Sequence, residues 1–105
     1  MRNQMRPIHP GEILREEFLL PLGLTANALA GALDVPANRI TLLVREARNV
    51  TADTALRLAR YFRTTPELWL TLQSTFDLRR AERASGTAIR KVVKPRRSEV
   101  GIPRS

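Results

Sequence analysis

The chain has 105 residues and a mass of 11.9 kDa, room for one small core with tails, which excludes a multidomain enzyme. Its 43% apolar and 27% charged residues are globular in character, and the absence of cysteine with a single histidine, His9, excludes a disulfide framework or a Cys/His zinc site. A net charge of +8 points to a polyanionic partner, while the lack of any membrane-length apolar run or signal-type leader makes a cytoplasmic location the expectation.

That charge is unevenly spread, and its placement divides the chain into an N-terminal arm (1–8), a folded unit (9–82) and a basic, flexible tail (83–105). The arm carries +2 and the tail +6, whereas residues 9–82 are neutral, with nine arginines against nine acids. Inside that neutral unit, residues 35–63 hold six arginines and two acids, a local +4, so any polyanion is expected to meet this stretch.

The spacing predicts five short helices and an all-α fold. The first runs from about Pro10 to Leu20, with Pro10 and Glu12 in its first turn, Leu14 and Phe18 facing inward, and Pro21 and Gly23 as terminators. His9, just before it, reads as a cap or surface residue rather than a catalytic base, because acid–base chemistry needs a partnered group. Glu12, Glu16 and Glu17 read as a solvated face rather than a carboxylate metal site; Glu16 and Glu17 would also suit a basic protein partner. No cofactor or metal is expected.

The second helix takes Thr25 as its N-cap and points Leu29 and Leu33 to the core, with Ala28 and Ala30 small enough for a close helix crossing. After a turn at Asp34 and Val35, the third places Pro36 in its first turn and buries Ile40, Leu43 and Val44. The fourth begins at Thr51 with Asp53 near its positive end and sets Ala55, Leu58, Ala59 and Phe62 at i, i+3, i+4, i+7. The fifth is capped by Thr65, directs Leu68, Trp69, Leu72 and Phe76 inward and ends near Glu82. Trp69 on that stripe reads as core rather than as a base-stacking platform. Leu70 and Leu78 fall off it and are candidates for a dimer or partner surface.

Helix, short turn and helix across Thr25 to Arg45, with the second helix polar on its outer face, is the helix-turn-helix design, in which the second helix enters the major groove. Asn38 suits a bidentate pair with adenine, Arg39 and Arg45 suit guanine or phosphate, and Ala37 and Leu42 offer only apolar contact, as to a thymine methyl. With Thr25 and Arg48 these residues form the candidate DNA-binding set. One motif makes too few contacts for tight binding, so a homodimer on a palindrome is expected.

Four segments, IHPGEILREEFL, LTANALAGALDVPANRI, TADTALRLARYF and TTPELWLTLQSTFDL, together resemble the HigA-type antitoxins of the XRE (lambda-repressor-like) helix-turn-helix repressors over about residues 8–80. The resemblance implies a dimer that binds operator DNA, represses its own operon and neutralises a RelE-like ribonuclease toxin. A stand-alone XRE regulator without a toxin is the alternative. A ribonuclease is disfavoured, because the chain offers no histidine pair and no clustered Lys, Arg and Glu for phosphodiester cleavage. The chain departs from the family where a glycine usually ends the recognition helix ahead of a basic pair, since Glu46, Ala47 and Arg48 stand there. Asp34 and Arg63 occupy two further family glycine positions.

Overall fold

A computed structural model describes residues 6–97; the rest of the arm (1–5) and of the tail (98–105) lies outside them. Among the described residues five helices form and there is no strand. Helix α1 is one run over residues 10–22, α-helical over Pro10–Ile13 and Leu20–Leu22 and π-helical over Leu14–Leu19. The others are α2 (Ala26–Leu33), α3 (Ala37–Val44), α4 (Ala52–Phe62) and α5 (Pro66–Val92).

Side-chain caps start four of the helices. The hydroxyls of Thr25, Thr51 and Thr65 accept from the N–H groups of Ala28, Thr54 and Leu68, and His9 Nδ1 accepts from the Gly11 N–H at 2.8 Å. Pro36 is the exception: it precedes α3 as its cap residue rather than lying in the first turn.

The first four helices all end in one way. A residue at positive φ lets the next N–H turn back to a carbonyl five residues earlier: Leu24 to Leu19, Val35 to Ala30, Ala47 to Leu42 and Thr64 to Ala59, at 2.8–3.0 Å. The left-handed residues are Gly23 (φ 61°), Asp34 (59°), Glu46 (65°) and Arg63 (60°). Only the first of these closures has the glycine that the geometry favours.

Two helix ends depart from expectation. Pro21 does not stop α1 but lies inside it. Its ring crowds the carbonyl four residues back and it has no N–H to donate. The wider π-turns ahead of it, with the Leu20 N–H bonded to the Arg15 carbonyl, absorb the defect. The last helix continues past Glu82 to Val92, so the first part of the predicted tail is helical. Alanine, arginine, glutamate and lysine dominate residues 79–91, all good helix formers, and the next proline is Pro95. Gly86 leaves its flank open, and the Glu82 carboxylate stretches across it to Arg90 at 2.7 Å.

The core is built from Leu14, Leu29, Ile40, Leu43, Leu58 and Trp69, all essentially inaccessible, each contributing roughly 1.5–3 kcal/mol by burial. Phe18 joins α1 to α4 and α5, its ring centroid 4.7 Å from Phe62 and 5.2 Å from Trp69. Trp69 loses nothing by burial, because its indole N–H donates to Thr64 Oγ1 at 2.9 Å. Leu68, expected in the core, is exposed: the inward stripe of α5 is Trp69, Leu72, Gln73 and Phe76, and a polar residue fills its third place. Similarly, Ala30 is buried at the crossing of α2 while Ala28 faces solvent.

Candidate nucleic-acid interface

Within α3, Ile40 and Leu43 are buried, so the opposite side must face outward. That side carries Asn38, Leu42 and Arg45 at i, i+4 and i+7, with Ala37 beside them, and it is the outer surface of the helix-turn-helix. Ala37, Asn38, Arg45 and Arg48 are exposed and Leu42 half-buried. Thr25 is exposed with its oxygen occupied as the α2 cap, 3.0 Å from the Ala28 N–H.

Arg39 does not stand free beside them. Its Nη1 donates to Asp53 Oδ2 at 2.6 Å, and the same oxygen accepts from Arg57 Nε at 2.9 Å. Arg57 Nη1 in turn donates to the Leu33 carbonyl at 2.8 Å, closing the end of α2. The hydrogen bond from Arg57, and then that from Arg39, hold the Asp53 carboxyl below the usual carboxylate range. These contacts bind α2, α3 and α4 together at the turn of the motif. Nothing in a sequence spacing of 14 residues announces them.

The other end of α3 is gripped by α1. Gly11 lies so close to α3 that a Cβ there would fall 1.8 Å from the Leu43 carbonyl oxygen, which no side chain tolerates. Arg15 Nη1 donates to the Val44 carbonyl, and its other terminal nitrogen lies 3.5 Å from a Glu46 carboxylate oxygen. His9 is buried and meets Phe76 edge-on at 4.7 Å, and burial pushes its imidazole pKa down. Its Nδ1 accepts a backbone proton, so the neutral form carries its own proton on Nε2. This is the cap expected from the sequence and not the geometry of a solvent-facing base.

The segment leaving α3 is fixed from α5. Buried Gln73 accepts the Val50 N–H at 2.7 Å and donates to Asn49 at 3.2 Å and Asp77 at 3.0 Å. Glutamine on an apolar stripe was the one available signal for this clamp.

Two of the three acidic residues of α1 are engaged by arginines: Glu12 pairs with Arg6 at 2.8 Å and Glu16 with Arg15 at 3.0 Å. Among the described residues no cluster of His, Cys, Asp or Glu could hold a metal ion, and no helix is long and apolar enough to cross a membrane. On α5, Leu70 and Leu78 are both exposed, with Ile89 and Val92 continuing the same exposed face along the helix.

Comparison with known proteins bears on this surface. Residues 14–69 match the helix-turn-helix family HTH_3. The chain is 58% identical to virulence-associated protein I of Dichelobacter nodosus over 81 residues, covering 77% of this chain and 75% of that protein. Its fold is similar to that of the Pseudomonas aeruginosa antitoxin HigA solved with the higBA promoter, at 48% identity and a TM-score of 0.84 over 86% of this chain and 98% of that one. The antitoxin GraA in complex with its operator is likewise similar, at 50% identity and a TM-score of 0.85 over 93% and 99% of the two chains.

Proposed function

The chain belongs to the HTH_3 helix-turn-helix family and to its HigA-type antitoxins, and from that premise we propose that it is an operator-binding antitoxin that represses its own operon. The observation that carries the reading is the outer face of α3: Asn38, Leu42 and Arg45 are presented together on a helix whose other side is locked into the core. A major groove admits one such helix and displays a distinct donor and acceptor pattern for each base pair. Asn38 reads adenine, Ala37 and Leu42 offer apolar contact, and Arg45 with Arg48 holds guanine or phosphate.

The working form is a homodimer, with Leu70 and Leu78 in its contact, reading two half-sites about 34 Å apart. Residues 9–82 supply the specific part, and the basic chain beyond adds salt-sensitive attraction. The toxin is a RelE-like ribonuclease, and the complex works in the cytoplasm.

Co-purification from the native operon followed by a footprint of the upstream DNA tests the reading. A palindromic protected site and a small basic ribonuclease partner are expected. An operator footprint with no partner and no adjacent toxin gene would support a stand-alone regulator; no preference for upstream over random DNA would overturn the proposal.

A further inference from the structure

The stretch with the highest positive charge in the folded unit, residues 35–63, contains two acids, and both are set against arginines. Glu46 lies beside Arg15 of α1. Asp53 is the one that reaches α3, and it does so at Arg39, in the turn that leads the helix toward DNA. Resting on the DNA-reading proposal above, we infer that Asp53 is a specificity-determining residue that withholds the charge of Arg39 from phosphate.

The physical case begins with what a free arginine does next to DNA. Each phosphate neutralised by a cation releases condensed counterions, and this gain is the same on every sequence. An unpaired arginine at the front of α3, turned to phosphate, would therefore strengthen binding to random DNA while giving up its donors to the operator's base edges. Asp53 Oδ2 accepts from Arg39 at 2.6 Å and from Arg57 at 2.9 Å, so the three side chains together present one positive charge to a phosphate where two free arginines would present two. The unbonded N–H groups of Arg39 still can donate to base edges, where recognition depends on geometry rather than on charge. Arg57 holds Asp53 from the other side while capping α2, so the carboxylate is anchored and does not simply follow Arg39 away. With the Arg45 and Arg48 side chains exposed and making no hydrogen bond among the described residues, phosphate attraction is left to the exit end of α3.

The test is Asp53→Asn in the full chain, with affinity for operator and for random DNA measured across a salt series. Removing the carboxylate charge releases Arg39. Random-DNA affinity should rise about fivefold at 150 mM salt, and the slope of log affinity against log salt should steepen by about 0.9, the value of one added phosphate contact. The ratio of operator to random affinity should fall. The double variant Asp53→Asn with Arg39→Gln should return the slope to that of the parent, which separates Arg39 from Arg57 as the released cation. An unchanged slope in the single variant, or equal losses on both DNAs, would mean that Asp53 only braces the turn and would overturn the inference. A steepened slope that survives in the double variant would also overturn it. If the parent chain itself shows no operator preference, the DNA-reading proposal fails, and this inference fails with it.

Discussion

At its C-terminal end α3 is held by α1, through the contact of Gly11 with the Leu43 carbonyl and the bond from Arg15 to the Val44 carbonyl. At its N-terminal end Ala37 and Asn38 are exposed and only Arg39 is tied to a neighbour. The contrast separates the contacts that aim the helix from the side chains that read with it. A change at the gripped end should therefore cost stability and binding together, and a change at the free end should alter recognition alone.

Gly11→Ala attacks the grip most directly. The added methyl meets a backbone carbonyl that cannot rotate aside, so a loss of about 3 kcal/mol in denaturant unfolding is expected, with operator binding falling in parallel. A variant as stable as its parent would break the comparison. Asn38→Ala tests the other end: about 2 kcal/mol of discrimination lost at one operator position, with the melting temperature unmoved. Arg45→Ala, in contrast, should weaken binding to all sequences and flatten its salt dependence.

His9→Ala returns to the gripped end and removes the α1 cap, for a loss of about 1 kcal/mol. The native histidine also sets a pH dependence. Burial lowers its folded pKa, so its contribution is complete above about pH 6.5, where the unfolded histidine is already neutral. It is lost as pH falls from there through the lower folded value. The His9→Ala variant should lose less stability than its parent on acidification through that window; equal losses would remove the imidazole from this role. Smallest is Arg63→Gly at the end of α4, where left-handed strain of about 1–2 kcal/mol is relieved. Glycine's greater backbone entropy offsets roughly 0.5–1 kcal/mol of that, leaving a small gain measurable by thermal melts.

Local signals in the sequence were dependable. The threonine caps at 25, 51 and 65 stand where expected, as do the buried stripe of α4 and the core position of Trp69. The family resemblance flagged Asp34, Arg63 and the end of the recognition helix as glycine positions, and positive φ at Asp34, Arg63 and Glu46 gives the backbone reason. What escaped was tertiary. Gly11 looks like any glycine until α3 lies against it, and the Arg39–Asp53 pair exists only once α3 and α4 are assembled. Pro21 misled because a π-turn can carry a proline that an ordinary helical turn would reject. The end of α5 is illegible from charge alone, because the arginines and lysine that make the segment basic also favour helix.

The freedom of Ala37 and Asn38 has an evolutionary consequence. Positions that bear no share of folding can drift without shortening the lifetime of the protein, so a duplicated gene needs few point changes to acquire a new promoter address. Two such copies in one cell would then be insulated from each other by these side chains, while sharing every contact that keeps them folded.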